Sequence, residues 1–185
     1  MPFLHFEGFG AAGTTTGLLT DPDLHKKIVL WERVFTDAEI ESVTILCDLI
    51  IPADDHSPAA SAVGVPDFIN EWVSAPFAQQ AADLQQIRAG LLWLDGEALK
   101  RFGKKRFIQL TETEQHSLCD DIRNSATATA PNKTAAAFFS KMRDLAAGGF
   151  YTTPEGWKDL GYVGNVPLAE FPGPPPEVLK HLGLT

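Results

Sequence analysis

The stretch TDAEIESVTILCDLI, Thr36 to Ile50, reads as a helix with both ends marked. Thr36 and Glu39 stand as a capping box: the hydroxyl accepts from the N3 amide while the carboxylate reaches back to the Thr36 amide. Phe35 and Ile40 occupy the positions of a hydrophobic staple. Ile40, Val43, Leu46, Cys47 and Ile50 then follow the stripe of a half-buried helix. Pro52 stops it, because the residue before a proline is pushed out of the α region.

Outward from this helix the chain repeats the same grammar. Residues 51–68, with three prolines and Asp54-Asp55-His56, form a loop. Pro66 opens a short helix carrying Phe68, Ile69, Trp72 and Val73. The longest helical pattern runs from Gln79 to Phe102 and contains Gly90 and Gly96, each costing about 1 kcal/mol against alanine. Either glycine marks a break or lets a ring or another backbone approach closely. Thr111 and Glu114 make a second capping box, followed by Leu118, Cys119 and Ile122. A further helix over 133–147 ends at Gly148-Gly149, and a last one spans Pro176 to Leu182. Toward the N-terminus, Phe3, Phe6 and Phe9 recur in an aperiodic arm, and His25–Val34 reads as a short helix or a brief strand.

No alternating strand pair with a hairpin signal appears. The expected fold is therefore all-α, a single compact domain of about five to seven helices with extended N- and C-terminal arms. The division is an arm over 1–35, a helical core over 36–150 and an aromatic, Pro/Gly-rich arm over 151–185 that packs on the core or on a partner.

The formal net charge of −9 excludes a nucleic-acid partner, since phosphate binding needs a basic footprint. The one dense basic cluster, Lys100, Arg101, Lys104, Lys105 and Arg106, fits a solvated helix end. No apolar run is long enough for a transmembrane helix. The first twenty residues lack a basic n-region and do not read as a secretory signal as they stand, which leaves a leader cleaved before residue 1 open. Cys47 and Cys119 show no CxxC spacing, and two buried free thiols are expected rather than one disulfide.

The chain carries no GxSxG, Walker A loop, HExxH or strand-borne GxGxxG. The five histidines are scattered, and the pairs Asp54/Asp55 and Asp120/Asp121 are adjacent, so on a helix their side chains diverge. Two readings with a site of its own stay open: an enzyme using Asp54, His56 and Asp95, and a free-standing helical binding module. The stretch GGFYTTPEGWKDLGYVGN, Gly148 to Asn165, holds both tyrosines, one tryptophan and five glycines. It reads either as a tail folded over its own core or as a docking surface, because Tyr and Trp are enriched at interface centres. The candidate partner-binding residues are Phe150, Tyr151, Trp157, Tyr162, Asn165 and Phe171.

Three blocks, DLIIPADDHSPAASAVGVPDFINEW, IRAGLLWLDGEALKRFGKKRFIQLT and FFSKMRDLAAGGFYTTPEGWKDLGYVGN, together resemble the gluconate 2-dehydrogenase subunit 3 family over about residues 36–176. These are small subunits of bacterial membrane-associated, FAD-dependent sugar dehydrogenases, including glucoside 3-dehydrogenases. The resemblance implies a non-catalytic subunit with no cofactor of its own. It implies a large glucose–methanol–choline-type partner holding FAD, and a cytochrome c subunit holding haem c. The small subunit would support folding, stability and periplasmic export of the flavoprotein. Relatives often carry a twin-arginine leader, which this sequence does not show, so a periplasmic location is expected of a chain already trimmed.

Overall fold

The computed structural model describes residues 31–164, 167, 169–170 and 173–184. Seven α-helices are seen: α1 (Asp37–Ile50), α2 (Val65–Ser74), α3 (Ala78–Phe102), α4 (Glu112–Ile122), α5 (Lys133–Phe150), α6 (Pro154–Asp159) and α7 (Pro176–His181). Short 3-10 turns lie at Ala60–Val63, Phe107–Gln109 and Ala130–Asn132, and there is no strand among the described residues. The fold is all-α, as the helical periodicity predicts. Phe3, Phe6, Phe9 and most of the His25–Val34 segment lie outside the described residues.

Helix α5 is the central element and packs against α1, α2, α3 and α4. Its buried face joins small and large residues: Ala135, Ala136, Phe138, Phe139, Met142, Leu145, Ala146, Gly149 and Phe150. The small ones let neighbouring helices come close, and the rings fill what is left. Both capping boxes form. Thr36 Oγ1 accepts from the Glu39 amide at 3.2 Å, and Glu39 Oε2 accepts from the Thr36 amide at 2.8 Å. Thr111 and Glu114 do the same on α4. Arg88 of α3 then clamps the start of α1, with Nε 2.6 Å from Glu39 Oε1 and Nη2 donating to Val34 O at 2.8 Å. Burial alone would raise the Glu39 carboxyl, but the Arg88 and Thr36 hydrogen bonds hold it below the usual range.

A buried carboxylate joins three helices. Asp83 of α3, only 2% exposed, accepts from Trp72 Nε1 of α2 at 2.9 Å and from Gln79 Nε2 at 2.9 Å. Lys141 Nζ of α5 lies 3.1 Å from the same carboxylate. The charge is thus fully hydrogen-bonded, the condition under which burying it is tolerable.

Of the two readings open for the glycines of α3, close approach holds at Gly90 and no break forms, while three other sequence expectations are corrected. Helix α3 runs unbroken through Gly90 and Gly96 to its left-handed cap at Gly103. At Gly90 a Cβ would lie 2.0 Å from the Phe138 ring, so this glycine is a close-approach site; at Gly96 nothing lies within 4 Å. Helix α5 does not end at Gly148-Gly149 but continues to Phe150; Gly149 serves close packing rather than termination, since a Cβ there would press within 2.7 Å of Phe68. Residues 154–159, read as irregular, form α6, with Pro154 at its first turn and Thr153 Oγ1 accepting from the Gly156 amide at 3.1 Å. Residues 31–35, placed with the arm, lie along α2: Trp31 Nε1 donates to Glu71 O at 2.9 Å, Arg33 pairs with Glu71, and the amides of Val34 and Phe35 donate to Ser74 Oγ and Asn70 Oδ1. Cys47 and Cys119 are free and buried.

Candidate docking surface

Residues 150–163 divide into an anchor and a display. Phe150 is fully buried on the face of α5, and Tyr151 meets it edge-on at 5.2 Å, half-buried against the same core. Phe150 is therefore a core residue and offers no surface, contrary to its place among the docking candidates. Its position follows from α5 extending three residues further than expected, which carries it onto the Met142–Ala146 face.

The chain turns at Thr152-Thr153 and starts α6 directly over the end of α5. Thr153 Oγ1 and the Thr153 amide both donate to Phe150 O, at 2.7 and 3.0 Å. Gly156 sits on that carbonyl so closely that a Cβ would be 2.2 Å from it. Beyond this contact α6 buries nothing. Trp157 is 45% exposed and Tyr162 58%, and their rings meet edge-on at 6.2 Å. The pair is fixed by the Tyr162 amide donating to Trp157 O at 2.8 Å and by Gly161 in the left-handed region at φ 64°. Leu160 and Val163 are also exposed. These two exposed aliphatic residues flank Tyr162 within two positions in sequence and were missed as candidates, although each stands apolar in a segment with little buried surface. Asn165 and Phe171, the remaining docking candidates, lie outside the described residues.

Two of the groups considered for an independent site, Asp54 and Asp95, hold backbone amides. Asp54 Oδ1 accepts the amides of His56 and Ser57, both at 2.8 Å, and these bonds hold its carboxyl below the usual range. Asp95 Oδ1 accepts the Phe107 amide at 2.7 Å. Asp95 lines a cavity of about 210 Å³ with Glu39, Arg88 and Arg106, but neither Asp54 nor His56 does. Arg88 is held by Glu39 and Val34 O, and Arg106 donates to Ala38 O at 2.8 Å. Cys119 lies beside His116 and Asp120, yet burial and the Asp120 charge push its thiol up to about 12, so the reactive thiolate is suppressed. Among the described residues no cluster of three or more His, Cys, Asp or Glu could hold a metal, and no helix is long and apolar enough to cross a membrane.

The profile of gluconate 2-dehydrogenase subunit 3 matches residues 37–173. The chain belongs to the gluconate 2-dehydrogenase subunit 3 family. No curated protein and no solved structure matches it. The family is a subunit of a multi-subunit dehydrogenase complex. For a subunit-3 protein, a stretch of exposed rings inside the matched span is the surface to weigh first. The match covers α1 to α6 and stops short of α7.

Proposed function

We propose that this chain is the non-catalytic small subunit of a periplasmic, FAD-dependent sugar dehydrogenase of the gluconate 2-dehydrogenase or glucoside 3-dehydrogenase type. Its role is to support the folding, stability and export of a flavoprotein subunit of the glucose–methanol–choline type. FAD, the haem c of a cytochrome subunit and the redox chemistry belong to those other chains.

The observation that carries this reading is the mount of α6. One face of the turn is pinned to α5 through Thr153 and Gly156, while Trp157, Leu160, Tyr162 and Val163 point away from any core. Rings held rigid before contact lose little entropy on docking, which is how hot-spot anchors work. About half of each of the two rings remains to be buried, worth roughly 1–1.5 kcal/mol apiece. The test is coexpression of Trp157→Ala and Tyr162→Ala with the flavoprotein subunit. Yield of the complex should fall while the isolated chain melts as before. Loss of thermal stability in the isolated chain with assembly intact would return these rings to the chain's own structure.

A further inference from the structure

Helix α3 is apolar on two opposite faces. Ile87, Gly90, Leu91, Leu94 and Ala98 are buried against the core. Ala89, Leu92, Gly96 and Leu99, at steps of three and four, make a second stripe that meets solvent, with Leu92 73% and Leu99 57% exposed. That spacing is the seam on which a second helix packs, and a helix apolar on both sides is one that is covered on both. Gly96 stands in the middle of the outer stripe. Glycine weakens a helix interior, and at Gly90 the reason is visible in the Phe138 ring, 2.0 Å from where a Cβ would lie. At Gly96 nothing among the described residues lies within 4 Å of such a Cβ. Between two exposed leucines, the missing side chain lets the backbone of another helix come close.

The charges around the stripe say what covers it. Its C-terminal end runs into Lys100, Arg101, Lys104, Lys105 and Arg106, a basic cluster in a chain of net charge −9. Lys100 and Arg101 pair with Glu97 in the last turns of α3, where cations suit the helix end. Lys104 and Lys105 lie beyond the cap at Gly103, exposed and without an ion pair among the described residues. Arg88 and Arg106 line, with Leu92, a cavity of about 210 Å³ on the flank of the stripe. A second copy of the chain is a poor occupant. Crossing at Gly96, an antiparallel copy sets Arg88 against Lys104, equally far along the chain from the crossing, and a parallel copy sets Lys104 against Lys104. Carboxylates are the complement of this end. We propose that the outer face of α3 receives an acidic, amphipathic helix of the flavoprotein subunit. That helix crosses at Gly96, with its apolar side chains between Leu92 and Leu99 and its Asp or Glu side chains toward Lys104 and Lys105. This inference rests on the reading that a flavoprotein subunit binds this chain.

The test uses Gly96→Leu, and separately the pair Lys104→Glu and Lys105→Glu, in the full chain coexpressed with the flavoprotein subunit. A Cβ at position 96 meets nothing within 4 Å, and leucine is the better helix former, so the isolated Gly96→Leu chain should melt no lower than wild type. Yield of its complex should nevertheless fall about tenfold or more. Charge reversal at Lys104 and Lys105 should weaken the complex likewise, and added salt should weaken the wild-type complex. A benzoylphenylalanine photocrosslinker at Leu99 should capture an acidic helical segment of the flavoprotein, identified by mass spectrometry. Undiminished assembly of either variant, or capture of a second copy, of residues 1–30 or of nothing, overturns the inference. Trp157→Ala reports separately on α6: if it alone impairs assembly, the docking reading stands and only the α3 contact is wrong. A wild-type chain that never assembles with the flavoprotein overturns both.

Discussion

Replacing Gly156 by alanine sets two effects against each other, and the packing decides the sign. Alanine is favoured over glycine inside a helix by about 1 kcal/mol. The new Cβ, however, would lie 2.2 Å from Phe150 O and 2.8 Å from Phe150 C and Tyr151 Cα. All three are backbone atoms, so no rotamer change relieves them. Restoring an ordinary contact of 3.4 Å or more moves α6 away from α5 by about 1 Å. That movement pulls on both bonds from Thr153 to Phe150 O, at 2.7 and 3.0 Å. Overpacking of this kind costs about 1–3 kcal/mol and outweighs the propensity gain. Since α6 has six residues and buries only Gly156, it has little else to hold it. The cost should therefore appear as detachment of α6 rather than as core unfolding. The core melting temperature should stay within about 2–4 °C, the shift that 1 kcal/mol produces in a domain of this size. Amide exchange at Trp157 and Tyr162, whose N–H groups donate to Thr153 O and Trp157 O, should quicken about tenfold. Assembly with the flavoprotein should weaken in parallel. A variant that melts higher and exchanges no faster would refute the close approach of α6 to α5.

The two glycines of α3 should respond with opposite signs. Gly90→Ala drives a Cβ into the buried Phe138 ring and should cost about 1–3 kcal/mol in urea denaturation, while Gly96→Ala meets no atom within 4 Å and should gain up to about 1 kcal/mol. Equal effects at the two sites would contradict the packing of α3 on α5. Asp83→Asn removes the Lys141 ion pair from a buried site and should cost about 3 kcal/mol at neutral pH, the lower end for a broken buried pair because Lys141 is partly exposed. Burial pulls the Asp83 carboxyl upward, but hydrogen bonds from Trp72, Lys141 and Gln79 outweigh it and hold it below its usual value. Its contribution is then complete above about pH 4 and is lost as pH falls through the depressed folded value. The wild-type advantage over Asp83→Asn, followed by thermal melts, should shrink below that pH, and an advantage growing with acid would refute the assignment. Burial pushes both cysteine thiols up to about 12, so native chain should resist a disulfide-exchange reagent at pH 8 and unfolded chain should release two thiols per molecule. A non-reduced mass lower by two hydrogens would overturn this.

The core was legible wherever local chemistry and burial agreed. The two capping boxes name their helix starts because the same Thr and Glu side chains satisfy the orphan amides in any context. Pro52 and Gly103 name two ends for equally local reasons. The errors arose where tertiary packing reversed a propensity. Gly148-Gly149 looks like a terminator by propensity, yet Phe68 requires a residue without a side chain at Gly149, and the helix passes through. The docking of Trp31 to Phe35 on α2 rests on contacts across some forty positions of sequence, which no local pattern encodes.

The exposed rings of α6 follow from the same tertiary packing. Phe150, Trp157 and Tyr162 are indistinguishable as aromatic residues of one glycine-rich stretch. Their fates separate only once α5 is known to include Phe150, because steps of four from Met142 through Ala146 then carry Phe150 into the core. With Phe150 inside, its carbonyl becomes the seat for Thr153 and Gly156, and α6 has one orientation. The signal for α6 was present in Thr153-Pro154-Glu155, a cap followed by proline and an acid in the first turn. Read that way, the glycines do not describe a loose arm. Gly156 brings two backbones together, and Gly161 turns the chain so that Tyr162 returns to Trp157. A flexible tail would have to be ordered by its partner, at a cost in binding. A short helix mounted on the end of the central helix presents its rings already placed, and its attachment depends on a glycine that any side chain would displace.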